Sequence, residues 1–458
     1  MTVAGKKISV IGAERSGVAV ARLLTKNGAS VFVSDAGKSE TTQKHIAELN
    51  ADGIPGEFGA HSDRVYGCDL MVISPGVPTD APVVRTAQQK GITVVAEIEA
   101  ASWFCTSRII AITGSNGKTT TTTLLGRMLS DAKVDHVVGG NIGIAFSAIV
   151  QEAEPETVVV LEVSSFQLDF IDTFRPDVAV ILNITQNHLD RYNNSMEAYA
   201  RSKARIVKNQ RMQDLFIHNA DDAWTATVVP NAPSKTVRFS SKHGVTEGAF
   251  VKEGVLTTVL NGREHAVIPT EEISITGEHN LQNAMAAVLA AQAVGVSPAH
   301  LRATLRNFKG VEHRQEFVRE VDGVKFVNNS KATTVEAVEV SLKSYDEPIV
   351  LIMGGKDKGN DYSTIDALVK KKVKAIVATG YSADLIVKHF SGMVPVVTVP
   401  TVGEEKPNLV SMKNAIDTAR SQASRGDVVL LSPACTSFDW FRDYEERGRV
   451  FKQLVVQL

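Results

Sequence analysis

Cysteine is scarce in this chain of 458 residues: Cys68, Cys105 and Cys435 are the whole complement. The number is odd, the positions are far apart, and no CxxC pair occurs. That pattern argues against a disulfide framework and a zinc site, and it fits a reducing compartment. Long apolar runs are missing too. None reaches the roughly 18–20 residues needed to span a bilayer. The opening, MTVAGKKISVIGA, goes directly into a strand, without the apolar stretch and small-residue cleavage site of a signal peptide. The expectation is a cytoplasmic protein, not inserted in a membrane and acting as a monomer. An excess of charge of one sign is also lacking: 49 Lys+Arg stand against 51 Asp+Glu, for a net charge of −2. A generally basic nucleic-acid binder is not indicated, although a local basic patch can still serve an anionic ligand. No short-period repeat or low-complexity segment interrupts the chain. Hydrophobic residues make up 43%, enough for a core in each of about two to four domains.

What is present is a rhythm of short Val/Ile-rich runs alternating with helical stretches, the pattern of α/β folds built on parallel sheets. Three units follow from it, at residues 1–97, 98–310 and 311–458. The first is Rossmann-like: KKISVIGA, a turn from Gly12 to Gly17, a helix, then SVFVSD ending at Asp35. Its fingerprint is incomplete, because Glu14 stands where G-x-G-x-x-G needs the glycine that lets backbone approach a pyrophosphate. That weakens a dinucleotide reading. The unit also holds MVISPGVP, a strand ending in a turn at Ser74, Pro75 and Gly76. The second unit is of the P-loop ATPase type, with a less regular, strand-rich stretch at about 214–275. The third is again Rossmann-like.

The strongest local signal is ITGSNGKTTT, where a strand enters a glycine loop and then a helix. Backbone N–H groups of Gly114, Ser115, Asn116 and Gly117 at that helix start can hold phosphate oxygens. Lys118 adds a point charge, and a hydroxyl of Thr119 or Thr120 can reach Mg²⁺. A strict P-loop wants glycine where Ile112 sits, so the loop is a shorter variant. Glu162 follows an apolar strand and is a natural Mg²⁺ ligand, or else the partner of a nearby cation. His188 lies just past a strand end and, taken alone, is as readily a structural group. Lys203, on a helix capped by Ser195, reads locally as a solvated lysine. His313 and Arg314 are either a surface basic pair or an anion clamp. The third unit carries NNSKATT (328–334), GGKDKGND (354–361) and SPACTSFDWF (432–441), three strand-end loops rich in hydroxyls, amides and lysines. Three such loops on one α/β unit point to a pocket for a small anionic ligand.

Together these motifs resemble the Mur ligase family, from the first strand to the last helix. The glycine loop is shared with folylpolyglutamate synthetases. The more particular signals are SPG at 74–76, LEVSSFQLD at 161–169, LNITQNHLDRY at 182–192, HNLQNA at 279–284 and EHRQEF at 312–317, with NNSKATT and LSPACTSFDWF. The last two favour the branch that adds D-glutamate to UDP-N-acetylmuramoyl-L-alanine in peptidoglycan synthesis, over sisters that add another amino acid. The resemblance implies an ATP- and Mg²⁺-dependent ligase working through an acyl phosphate. It implies that Arg15, Ser16, Asp35, Ser74 and Gly76 line a UDP pocket, with Asn141 near the sugar diphosphate. Lys118, Thr119 and Thr120 would hold ATP phosphates and Mg²⁺, and Glu162 and His188 would serve the metal sites. Lys203 matches a lysine carbamylated in the family and so able to hold a second Mg²⁺. Asn283, Arg314, Asn329 and Lys331 would help bind nucleotide, and Thr333, Lys358, Ser437 and Tyr444 the amino acid. The chain departs from the family pattern at Asn187 and Asn329, where acidic residues are common, and at Tyr444, where Phe is common.

Overall fold

The computed structural model describes residues 2–141, 143–186, 189–228, 232–357 and 359–458. The chain is mixed α/β and divides into two compact units, Met1–Phe308 and Lys309–Leu458. Among the described residues it forms three sheets, of five, nine and six strands. Two sheets lie in the first unit and one in the second.

The first sheet is wholly parallel. Lys7–Ile11 lies at its centre, with Ser30–Asp35 and Gly56–Phe58 on one side and Leu70–Ile73 and Thr93–Ala96 on the other. The chain winds one way and then the other from Lys7–Ile11, so the strand order reverses between it and Leu70–Ile73. A crevice opens at such a reversal, outside the carboxyl ends of the strands. The turn after Ile11 and the turn after Ile73 meet there.

The second sheet repeats this logic around Arg108–Thr113. Val158–Glu162 and then His136–Gly140 flank it on one side. Val178–Ile181, Leu215–Asn219, Lys235–Ser240 and Gly248–Lys252 follow on the other, all parallel. These central runs are Val/Ile-rich and, apart from the exposed Arg108 at the start of one, buried throughout, as strands covered on both faces must be. The irregular stretch resolves into the last three of these parallel strands and an antiparallel edge made by Val255–Leu260 and Arg263–Pro269. Asn261 and Gly262, both at positive φ, form the turn between them.

The helix Lys118–Asp131 begins with five successive threonines after its lysine. Threonine is a weak helix former, so tertiary packing must carry this element. It packs on the helix Glu278–Ala293, which is buried without interruption from Asn283 to Ala291.

In the second unit Val428–Leu431 lies between Val324–Asn328 and Ile349–Gly354, all three parallel. The loops 328–334, 354–361 and 432–441 therefore leave three adjacent strands at the same end. Apolar clusters cover both faces of this sheet. Among the described residues no helix is long and apolar enough to cross a membrane.

Candidate functional site

The loop between Thr113 and Lys118 is shaped by glycine at both ends. Gly117 caps the helix at φ +85°, and a Cβ there would fall 2.2 Å from Asn283 Oδ1. Asn283 is itself buried, and its Oδ1 accepts from Thr121 Oγ1 at 3.3 Å. The loop's own side chains fasten it to the segment after Ile181. Ser115 Oγ donates to Thr185 O and accepts from Thr185 N, each at 2.9 Å. Asn183 Oδ1 accepts from Asn116 N at 2.9 Å, and Asn183 Nδ2 donates to Asn116 O at 3.1 Å. Ser115 thus uses its side chain to hold a backbone shape, while Asn116 is exposed and its backbone is held by the Asn183 side chain.

Charge gathers at this loop. Lys118 Nζ donates to Gly114 O at 2.8 Å and to Ser115 O at 2.9 Å. Lys203 Nζ donates to the same Gly114 O at 2.9 Å. Far from being solvated, Lys203 is 1% exposed. Its ammonium lies 4.6 Å from the centroid of the Tyr199 ring. The Tyr199 hydroxyl lies 3.1 Å from Ser115 Oγ, and burial pushes its pKa up to about 12. Burial and then the neighbouring Lys118 hold the Lys203 amine well below the ordinary lysine range, against the opposing pull of Glu162 and Asp169. Glu162 ends its strand opposite Ile112, is buried, and accepts from Thr119 Oγ1 at 2.9 Å. Sequence reasoning missed Tyr199 and Asn183. Asn183 lies inside the quoted LNITQNHLDRY run, whereas no local signal places Tyr199 under a buried amine.

Candidate substrate residues reach the same region. Asn141 N donates to Glu162 O at 2.8 Å, and Arg15 Nη1 donates to Gly143 O at 2.9 Å. In the first sheet Asp35 accepts from Ala13 N and Gly37 N, both at 2.6 Å. Ser74 Oγ donates to Gly12 O at 3.1 Å, joining the two turns at the strand reversal. Ser16 lies in the first turn of the helix Arg15–Lys26, and Gly76 is exposed in the second turn. Thr120 is partly buried in the first turn of its helix. His188 lies outside the described residues.

The second unit assembles its own cluster. Lys331 Nζ lies 5.4 Å from the centroid of the Tyr444 ring. Ser330 Oγ donates to Tyr444 O at 2.8 Å. Burial, then the adjacent Glu445, raise the Tyr444 pKa. Arg314 sits between His313 and Gln315, both held at positive φ, a backbone strain that clusters at ligand-binding turns. Asn329 faces inward. Its Nδ2 donates to Ser341 Oγ at 2.5 Å and Ser432 Oγ at 3.2 Å, and its Oδ1 accepts from Gln315 N at 3.2 Å. The amide thereby clamps three segments. Thr333 is partly exposed, and Ser437 is buried on the 432–441 loop. Lys358 lies outside the described residues. Behind these loops Arg447, unforeseen from sequence, is buried. Its Nε donates to Ser330 Oγ at 2.9 Å, and its Nη2 donates to Ser330 O at 2.9 Å and Cys435 O at 3.1 Å. Burial pushes its pKa down to about 10.

Three family models match the chain in order. The Mur ligase MurD-like N-terminal domain covers residues 6–96, the Mur ligase middle domain 112–291, and the Mur ligase glutamate ligase domain 313–435. The UDP-N-acetylmuramoylalanine–D-glutamate ligase of Pelotomaculum thermopropionicum is 45% identical, over 99% of this chain and 98% of its own length. The ligase of the same name from Salinibacter ruber is 43% identical, over 99% and 98%. Among solved structures, UDP-N-acetylmuramate–alanine ligase from Thermotoga maritima shares the fold with a TM-score of 0.58 at 21% identity, covering 99% of both chains. With likeness running unbroken through all three matched domains, the chain belongs to the Mur ligase family.

Proposed function

We infer that the chain is an ATP-dependent ligase that joins D-glutamate to UDP-N-acetylmuramoyl-L-alanine, releasing ADP and phosphate, in peptidoglycan precursor synthesis. One geometric observation carries the chemistry: Lys118, Lys203, Thr119 and Glu162 converge on the glycine loop at the strand reversal of the second sheet. The choice of substrates rests on the full-length likeness to ligases of that name.

A carboxylate does not acylate an amine at neutral pH, because oxide is too poor a leaving group. The ligase first transfers the γ-phosphoryl group of ATP to the carboxylate of the UDP-linked substrate, giving an acyl phosphate and ADP. The amine of D-glutamate then attacks the acyl carbon, phosphate departs, and the proton lost by nitrogen passes to phosphate or solvent. The first step brings two anions together. Lys118 and the N–H groups at the start of Lys118–Asp131 are placed to stabilise the charge that grows there. Thr119 and Glu162 offer a hydroxyl and a carboxylate, hard oxygen donors that fit Mg²⁺. They would hold the ion together with His188, and the ion would neutralise phosphate charge. A carbamylated Lys203 would supply a further anionic oxygen ligand.

On the substrate side, Arg15, Ser16, Asp35, Ser74 and Gly76 serve the UDP end, and Asn141 the sugar diphosphate. Thr333, Lys358, Ser437 and Tyr444 serve D-glutamate, while Asn283, Arg314 and Lys331 serve the nucleotide. Asn329 acts through the loop it clamps. The cytoplasm is the compartment we assign. Phosphate release measured with ATP, Mg²⁺, the UDP-linked substrate and a panel of amino acids tests the reading. D-Glutamate should stand out. Preference for L-lysine or meso-diaminopimelate would move the chain to a sister activity, and phosphate release needing no amino acid would remove the ligase reading altogether.

A further inference from the structure

The turn that carries Arg314 is held from two sides. Arg314 N donates to Val311 O at 3.0 Å, and its neighbours His313 and Gln315 stand at φ +64° and +45°. A backbone of that shape persists only where its surroundings hold it. One hold comes from the loop 328–334. Lys331 N donates to His313 O at 3.1 Å, and Asn328 Nδ2 donates to Glu316 Oε2 at 3.0 Å. The same Oε2 accepts from His313 N at 2.9 Å, which closes the turn on itself.

The other hold is the last helix, Tyr444–Val456. Its Tyr444, Gly448 and Lys452 are spaced by four, so they share one face, and all three meet the turn. The Tyr444 ring stands edge-on to His313, with centroids 6.2 Å apart. Gly448 makes room for the imidazole, since a Cβ there would fall 2.1 Å from His313 Nδ1. Lys452 Nζ donates to Glu312 Oε1 at 2.5 Å and to Glu316 Oε1 at 2.8 Å. One ammonium thus braces the two ends of the turn, with Arg314 midway. Exposed ion pairs contribute little, but the side chains of Lys452 and Glu316 are only 25% and 17% exposed. Burial opposes the charge on Lys452, yet its bonds to Glu316 and Glu312 outweigh it and raise its pKa. The bond from Lys452 likewise holds the Glu312 carboxyl below its ordinary range. Arg314 shares its surroundings with a second cation. Lys331 Nζ lies 5.4 Å from the centroid of the Tyr444 ring. The Arg314 guanidinium is near enough to pull against the upward push of burial and Glu445 on the Tyr444 pKa.

We propose that Lys452 is a positioning residue for the nucleotide: by bridging Glu312 and Glu316 it fixes the turn from which Arg314 projects, and so sets affinity for ATP. This rests on the reading that Arg314 binds nucleotide. Lys452 acts through the turn, by reducing the conformational freedom that binding must otherwise remove.

The test is steady-state phosphate release by the full chain, with ATP, D-glutamate and the UDP-linked substrate varied in turn. The variants are Lys452→Met, Lys452→Arg, Arg314→Ala and the double variant Arg314→Ala/Lys452→Met. Lys452→Met keeps the apolar stem but leaves two carboxylates facing each other without a cation. It should raise the KM for ATP about 5- to 20-fold, within the range of lost charge-assisted hydrogen bonds, while the other two KM values change by less than about 2-fold. Lys452→Arg should recover most of the loss. In the Arg314→Ala background, Lys452→Met should add less than about 2-fold, because the group it positions is gone. Glu312→Gln removes one of the two bridged charges at an exposed position and should raise the KM for ATP about 2- to 5-fold, which guards against misfolding of the methionine variant. A KM for ATP that rises in Arg314→Ala but not in Lys452→Met or Glu312→Gln overturns the proposal. So does a parallel rise in all three KM values, or full additivity in the double variant, either of which would mark a structural role only. If Arg314→Ala leaves the KM for ATP unchanged, the nucleotide reading of Arg314 itself fails and the proposal falls with it.

Discussion

Lys203 shows how much a single residue's role depends on surroundings that its sequence neighbours do not reveal. On its helix it has the spacing of a solvated lysine. In the fold it is buried beside Lys118 and over Tyr199, and its amine is driven toward the neutral form. A neutral amine is what CO₂ captures, so carbamylation is the expected outcome. The labelled carbamate should appear in a ¹³C spectrum of enzyme equilibrated with ¹³C-bicarbonate and vanish in Lys203→Ala. That variant should lose about 10²-fold or more in turnover, with partial recovery in short carboxylates. Full activity in Lys203→Ala would show that the amine serves packing alone. Lys118→Ala should lose a similar factor while unfolding near the temperature of the parent, because it bonds to loop carbonyls rather than filling a core. Glu162 was more legible than Lys203: an ionisable group at the end of a fully apolar strand is conspicuous in one dimension, whereas burial of a helix residue under a distant loop is not.

At the scale of elements, the strands and their order of use were readable, because parallel strands buried on both faces leave uninterrupted Val/Ile runs. The antiparallel edge at 255–269 was less so, although Asn261-Gly262 is a turn signal lying in plain view. What sequence could not supply is how one element grips another. The glycine loop is one case. Gly117→Ala puts a methyl group on Asn283 Oδ1 and forces a left-handed φ on alanine. It should weaken ATP binding by at least about 10-fold, and combining it with Asn283→Ala should restore part of the thermal stability, since the steric conflict goes but the backbone strain of about 1 kcal/mol stays. Glu99 is another case. Its carboxylate accepts from Trp103 Nε1 and from the backbone of Asp172, Thr173 and Phe174, so it binds the helix Glu97–Ser102 to a distant turn. Burial alone would raise its pKa, but the bonds from Thr173, Asp172 and Phe174 bring it below the ordinary carboxylate range. The folded pKa is thus lower than the unfolded one, so the unfolded chain binds more protons in the interval between them. The Glu99 contribution is full above about pH 4.3, the unfolded value, and is lost as pH falls through the folded value. Glu99→Ala should cost about 3 kcal/mol near pH 7. In denaturant titrations its difference from the parent should narrow below about pH 4, and a difference independent of pH would refute the linkage.

At the scale of the whole chain, the order of motifs announced the family before any contact was known, because most of the motifs sit at strand ends and strand ends come in sequence order. The grouping of sheets did not announce itself. The first two sheets join into one compact unit through side chains such as Glu97, Glu99 and Arg15, which meet partners 50 to 128 positions away. The second unit, with its own sheet and apolar clusters on both faces, should fold without the rest. A fragment of residues 309–458 is expected to unfold in one cooperative thermal transition. A gradual loss of signal with no transition would mean that the unit needs the preceding chain.

The carbonyl of Gly114 receives two ammonium groups, and Lys118 makes the proton of Lys203 easier to lose. When a nucleotide draws Lys118 toward its phosphates, Lys203 is relieved of that neighbour and grips its proton harder. Reaction with CO₂ should then be favoured before ATP arrives and resisted afterwards. Enzyme stripped of dissolved CO₂, charged with ATP and only then given bicarbonate should pass through a lag, whereas the reverse order of addition should give full rate at once. Specific activity would carry a memory of its preparation, a hysteresis set by one backbone oxygen.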